Sequence, residues 1–155
     1  METQHDILVQ NKRDIQFKIT INRKFTLIRG DSATGKSTLF QMVSDAGTSV
    51  QSGIHIACDV PVVALHETGY KYELSNENGK IYIIDEDFSP VKTKEFAALA
   101  LKSDNCFIII TRESLPSIPY SYKEIYKIKT SGKYHSLERI YMDYDTITEM
   151  DKMVT

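Results

Sequence analysis

Apolar and polar residues follow one another in short runs along this chain, broken by glycine, proline and clusters of polar residues. DIQFKITI (14–21) alternates polar and apolar positions as a half-buried strand does. KFTLIRG (24–30) predicts a second strand, entered across the turn candidate Asn22-Arg23. GIHIACDVPVVAL (53–65) predicts one or two strands, with Pro61 marking an edge or a break. GYKYELSNENGK (69–80) reads as a strand followed by a turn at 76–79. KIYIIDED (80–87) is a central strand ending in acids, and NCFIIITR (105–112) is continuously apolar, as expected when both faces are covered. EIYKIK (124–129) is the last strand candidate, and 130–155 has no clear pattern. Two helices are expected. One covers 36–46, with Gly47 as its stop; the other covers 93–102, with Pro90 near its start and Phe96, Ala97, Leu99, Ala100 and Leu101 as its apolar content. Strands alternating with helices indicate an α/β layer fold.

The length, 155 residues, suits one domain spanning 1–155 with a single core. With 41% hydrophobic and 26% charged residues the composition is that of a globular chain, and a net charge of −2 calls for neither nucleic acid nor an anionic membrane. The N-terminal stretch METQHDILVQNKRD has no apolar signal-peptide core, and no apolar run approaches the length of a membrane span. Cys58 and Cys106 stand 48 residues apart in apolar surroundings, which suits free thiols in a reducing compartment and predicts a cytoplasmic protein. The four histidines are scattered, none with another metal-ligand type at a recognised spacing.

One stretch changes this picture. Gly30-Asp31-Ser32-Ala33-Thr34-Gly35-Lys36-Ser37 matches G-x-x-x-x-G-K-[ST] at every fixed position. Gly30 and Gly35 permit a backbone in which successive amides, from Asp31 through Thr38, point into one hollow that phosphate oxygens fill. Lys36 reaches the β- and γ-phosphates, Ser37 offers a hydroxyl to Mg²⁺, and the helix N-terminus adds its positive end.

With an apolar strand before it and a helix after it, this stretch resembles the P-loop NTPase superfamily, in particular its additional-strand ATPase division with an AAA- or ABC-like core. The resemblance covers 27–39, 80–87 and 105–112. It implies a three-layer α/β sandwich with a mostly parallel sheet, an antiparallel N-terminal strand or hairpin, and nucleotide bound at the carboxyl ends of the strands. In that light IYIIDED looks like a Walker B segment: Asp85 would hold Mg²⁺ through its water shell, Glu86 would orient the attacking water, and Asp87 is the spare acid. Thr111 matches the polar strand end that senses the γ-phosphate, and Arg112 would contact phosphate or a neighbouring subunit, or simply pair with a surface acid. The segment 14–30 is similar to the opening of ABC and SMC-type ATPases, yet the chain has no L-S-G-G signature, and its tail is too short for an AAA lid. The N-K-x-D motif of GTPases is also missing, so ATP is chosen by elimination.

Three functions remain open. The first is a Mg²⁺-ATP-binding switch or ATPase module with slow or partner-stimulated hydrolysis, in which Lys36 and Glu86 are catalytic. The second is a small-molecule or nucleotide kinase with Asp59 activating the acceptor, although the five arginines do not cluster as a lid would need. The third is a nucleotide-liganded interaction module without catalysis. Its motive is the C-terminal third, which holds six of the nine tyrosines interleaved with Lys123, Lys127, Lys129, Lys133 and Arg139. That pattern suits a protein partner or self-association better than single-stranded nucleic acid, and it also reads as an exposed or edge strand guarded by lysines.

Overall fold

The structure is a computed structural model that describes residues 4–12, 15–29, 35–49 and 51–141, with Ser37 as backbone only. Strand β1 (His5–Gln10) buries Ile7 and Val9 and turns back into β2 (Gln16–Ile21), with His5 opposite Ile21 and Gln10 opposite Gln16. The third strand, β3 (Phe25–Ile28), is buried throughout. After it comes α1 (Lys36–Thr48), which runs through Gly47 and ends one residue later. Pro61 does break its segment, into β4 (His55–Ala57) and β5 (Val62–Ala64). Helix α2 (Tyr70–Asn76) precedes β6 (Ile81–Ile84). Helix α3 (Lys94–Lys102) starts where Thr93 Oγ1 accepts the Phe96 N–H at 3.1 Å, satisfying one of the helix's otherwise unpaired amides. The fully apolar β7 (Cys106–Ile110) then precedes β8 (Ile125–Ser131) and β9 (Tyr134–Arg139), which are joined by the two-residue turn Gly132-Lys133, with Gly132 at φ 62°.

These strands form one nine-stranded sheet in the order β4-β1-β2-β9-β8-β3-β7-β6-β5. Its two end strands, β4 and β5, are consecutive in the chain, and only residues 58–61 join them. Laid flat, nine strands would hold the two ends about 38 Å apart at roughly 4.8 Å per strand step. The extended chain from Ala57 to Val62 reaches at most about 18 Å. The sheet therefore curls until its ends nearly meet. It curls around α1, which touches β1, β4, β5 and β6 and buries Leu39, Met42 and Val43 against Ile7, Val9, Phe17 and Ile19. The outer face of β3, β6 and β7 packs under α2 and α3 through an aromatic cluster of Phe25, Tyr82, Phe96 and Phe107.

The expected mostly parallel three-layer α/β sandwich is thereby corrected. The molecule is mostly sheet and barrel-like, with three helices among the described residues. Antiparallel pairing is not confined to an N-terminal appendage, because β1 pairs antiparallel with both β2 and β4, and β8 with β9. The hairpin also lies one strand earlier than the Asn22-Arg23 turn suggests, since β9 and β8 come between β2 and β3.

Segment 69–80 is a second correction. Its alternation reads as strand, but Tyr70 and Leu74, four residues apart, are the buried pair, and Tyr72 between them is 71% exposed. One buried face at helical spacing is what a helix needs. The tyrosine- and lysine-rich region is not an edge strand either. β8 and β9 lie inside the sheet order, and Lys127 and Lys129 point outward, both toward Glu138, while Ile125 and Ile128 are buried.

The same packing leads to a prediction about alkaline stability. Tyr82 is wholly buried, and its hydroxyl donates to Glu73 Oε2 at 2.7 Å; burial, then that bond and the charge of Glu73, push its phenol far above the ordinary value. Tyr126, which donates to Glu124 Oε1 at 2.7 Å, is raised for the same reasons, burial first. A phenol whose folded pKa lies above its unfolded value of about 10 stabilises the fold fully below that pH and loses its contribution above it. The melting temperature should fall from about pH 10 upward, each buried phenol adding up to about 1.4 kcal/mol per pH unit. Tyr82→Phe should flatten that slope, as a pH series of thermal melts would show.

Candidate functional site

Strands β3, β7 and β6 are neighbours and run parallel, so their carboxyl ends open on the same edge of the sheet. Arg29 leaves β3 there, Thr111 and Arg112 leave β7, and Asp85, Glu86 and Asp87 leave β6. The Thr111 N–H donates to Ile28 O at 3.0 Å and the Arg29 N–H to Tyr126 O at 2.8 Å, which carries the ladder to the rim. Gly35 precedes α1 at φ 88°, a conformation that L side chains rarely adopt, and a Cβ there would stand 3.7 Å from the Phe17 ring and 3.9 Å from His135. Those two rings stack with centroids 4.5 Å apart and form a wall beside Gly35.

Lys36 opens α1 and is 1% exposed. Its Nζ lies 3.9 Å from Glu86 Oε1, and the other oxygen of Glu86 lies 3.0 Å from Arg112 Nε. One carboxylate thus spans two cations that arrive from different elements. Beside it, Asp85 Oδ1 is buried with no hydrogen-bond partner among the described residues. Burial is the main cause raising the Asp85 carboxyl above its ordinary value, helped by Asp87 and Glu86, and a backbone hydrogen bond and Lys36 oppose the shift. A carboxylate so placed suits the water shell of a hydrated Mg²⁺, which keeps most of its waters and takes outer carboxylates.

Of the residues named from the sequence, Gly30, Asp31, Ser32, Ala33 and Thr34 lie outside the described residues, and for Ser37 only the backbone is described. The structure brings Lys36, Asp85, Glu86 and Arg112 together, with Gly35 beside them and Thr38 one turn along, half-buried. Thr111 is at the same rim, but its hydroxyl is engaged in a local turn, donating to Glu113 O at 3.0 Å and accepting the Glu113 N–H at 3.1 Å. Asp59 is elsewhere: it bonds to His5, opposite Ile21 at the far end of β2 from Gly35 and Phe17.

Two features of the rim go beyond the sequence expectations. Arg29 Nε is buried without a hydrogen-bond partner among the described residues, and its position directly before Gly30 is the available signal. A cleft of about 190 Å³ opens next to Asp85, lined by Phe40, Leu65, His66, Glu67, Asp87 and Phe88, with Phe40 edge-on to His66 at 5.7 Å. Nothing in the spacing of those residues announces it; α1 and the loops after β5 and β6 assemble it.

In the C-terminal third, Tyr126 is buried, Tyr120, Tyr122 and Tyr141 are partly buried against the core, and Tyr134 is 52% exposed, while Tyr144 lies outside the described residues. Both cysteines are free thiols. Among the described residues no helix is long and apolar enough to cross a membrane.

No protein-family model matches the chain, and no curated protein matches it. The resemblance to the P-loop NTPase superfamily is corrected accordingly. It rests on three short segments, whereas the described residues form a nearly closed, mixed sheet with few helices rather than a helix-rich sandwich.

Proposed function

We propose that this protein binds Mg²⁺-ATP at the rim formed by β3, β6 and β7 and hydrolyses it slowly, acting as an ATPase module or switch that a partner accelerates. The observation that carries the reading is the arrangement of Lys36, Asp85, Glu86 and Arg112. A buried lysine at a helix N-terminus faces a carboxylate it shares with an arginine, next to an acid whose Oδ1 has no hydrogen-bond partner among the described residues. Mg²⁺ held by Ser37 and, through water, by Asp85 would neutralise the charge that grows on the phosphates.

The chain's own groups account for the rest. The amides leading into α1 and the Lys36 ammonium bind the β- and γ-phosphates. Lys36 then gives up part of its attraction to Glu86, which frees Oε1 to hold a water in line with the γ-phosphorus and draw on its proton. Arg112 keeps the other oxygen of Glu86 in place, and this fixes the direction of the free one. Arg29 and Arg112 are the described arginines that leave strands at this rim, and Arg112 is engaged with Glu86. Slow turnover alone follows, because a cation added by a partner at this step is worth about 10³ to 10⁵ in rate. A protein partner or a second copy of the chain, met through the C-terminal third, is the natural source. The free thiols fit a cytoplasmic setting.

A second reading draws on the cleft. A small acceptor held between Phe40 and His66 would lie beside Asp85 and Asp87, and transfer to it would replace hydrolysis.

Thermal melts and phosphate-release assays test the proposal. Mg²⁺-ATP should raise the melting temperature of the wild type, with slow phosphate release. Asp85→Asn should stabilise the ligand-free protein by about 1 kcal/mol, roughly 2–4 °C, by removing the charge from a half-buried carboxylate whose Oδ1 has no hydrogen-bond partner among the described residues. The same change should abolish the Mg²⁺-dependent part of the ATP effect. Glu86→Gln should retain binding and lose release by about 10²-fold or more. A wild-type melt that Mg²⁺-ATP leaves unmoved at millimolar concentration would remove this reading.

A further inference from the structure

Far from the nucleotide rim, three side chains of the types that bind transition metals converge. His5 begins β1, and Cys58 and Asp59 follow β4, which pairs with β1. Each offers one ligand atom, and these atoms all lie within 4.8 Å of one another. His5 Nδ1 stands 2.9 Å and 3.0 Å from the two Asp59 oxygens, and the Cys58 thiol donates to Asp59 Oδ1 at 3.4 Å. Histidines and cysteines this far apart in sequence form no spacing motif. Only the pairing of β1 with β4 puts them in one place.

We propose that His5, Cys58 and Asp59 form a Zn²⁺ site with three protein ligands and an open fourth position. The donor set decides the metal. One imidazole nitrogen, one thiolate and one carboxylate suit a borderline-soft ion, whereas Mg²⁺ and Ca²⁺ take oxygen alone. A tetrahedral site with Zn–N and Zn–O near 2.0 Å and Zn–S near 2.3 Å has edges of roughly 3.3–3.6 Å, and the third edge, between the His5 nitrogen and the Cys58 sulfur, lies within 4.8 Å before a metal draws the two together. The sulfur–oxygen pair is already at that separation, and the nitrogen–oxygen pair needs to open by a few tenths of an ångström. His5 is buried and Asp59 exposed, so the ion would have an inner ligand on the sheet and an outer one facing the solvent through which it enters. Binding exchanges the Cys58 proton, which burial makes harder to remove, for the metal and releases it to solvent.

The site's place in the fold gives it a consequence. Cys58 and Asp59 belong to the bridge 58–61 that joins the two end strands of the sheet. A metal there ties the start of β1 to that bridge and holds the curl closed. It lies about four ladder steps, roughly 13 Å, along β2 from the Phe17–Gly35 wall, so it is independent of ATP binding.

The test is a titration of the untagged, chelator-stripped chain with Co²⁺ and Zn²⁺. One equivalent of Co²⁺ should produce a thiolate-to-metal charge-transfer band and the visible bands of a tetrahedral ion, and Zn²⁺ should bleach both. Zn²⁺ at about a hundredfold over its Kd should raise the melting temperature by roughly 5–10 °C. Cys58→Ser should remove the charge-transfer band and Cys106→Ser should retain it. His5→Gln and Asp59→Asn should each weaken binding at least tenfold. Absence of a thiolate band in the wild type together with an unmoved melt in Zn²⁺ would overturn the proposal and leave a hydrogen-bonded His–Asp pair. Equal loss of the band in Cys106→Ser would overturn it as well.

Discussion

Lys36→Met should lose Mg²⁺-ATP affinity by about 3 kcal/mol, roughly two orders of magnitude in Kd, and phosphate release should fall to background. Methionine keeps the length and packing of the aliphatic stem, so the change isolates the ammonium. The buried Nζ is 3.9 Å from Glu86 Oε1, and without it Glu86 still holds Arg112 at 3.0 Å. The ligand-free fold should therefore melt within a few degrees of wild type while binding collapses. Calorimetric titration with Mg²⁺-ATP measures the first effect, and a thermal melt the second. Wild-type affinity in this variant would place the nucleotide elsewhere on the molecule.

Phe107→Ala should produce the largest loss of stability. Phe107 lies in β7 between β3 and β6, is wholly buried, and packs its ring against Phe25, Tyr82 and Phe96 at centroid distances of 5.6, 5.9 and 5.9 Å. Truncating a buried phenylalanine in so dense a cluster costs about 3–5 kcal/mol, from lost transfer energy and the cavity left behind. For a chain of this size that is a fall of roughly 8–15 °C in melting temperature. Phe107→Leu, which refills most of the cavity, should recover more than half of it. Because β7 also carries Thr111 and Arg112 to the rim, ATP binding should weaken with it.

Local periodicity makes several elements legible in the sequence. The continuous apolar runs of β6 and β7 need cover on both faces, and they have it. The helix expected over 93–102 matches α3 to within a residue, and Pro61 marks the break between β4 and β5. Where periodicity is ambiguous it misleads: Tyr70, Tyr72 and Leu74 alternate as a strand would, Tyr70 and Leu74 alone suit a helix, and burial of that one face decides for α2. The pattern marks neither β1 nor β9 as a strand. β9 is only half-buried along most of its length, so its sequence shows no strong alternation.

At the candidate site, Lys36 and the acids after β6 are legible because a glycine-lysine loop and an apolar strand ending in carboxylates are local patterns. The bridge that Glu86 makes between Lys36 and Arg112 is not, nor is the lack of a partner for Asp85 Oδ1 among the described residues, since both depend on which strands lie side by side. His5 and Asp59, 54 residues apart, show the same limit.

By itself, the sequence determined many of the local elements and the chemical groups on hand: the helix that Lys36 opens, the acids after β6, two thiols and four histidines. These follow from short-range forces, in which backbone sterics and the burial of one face act within a few residues. The tertiary structure alone decided the order of nine strands, the curl forced by a four-residue bridge, and the company each polar group keeps. Strand pairing is a long-range choice. It balances hydrogen bonds and buried area over the whole chain against the entropy of closing loops, and no single stretch of residues encodes it.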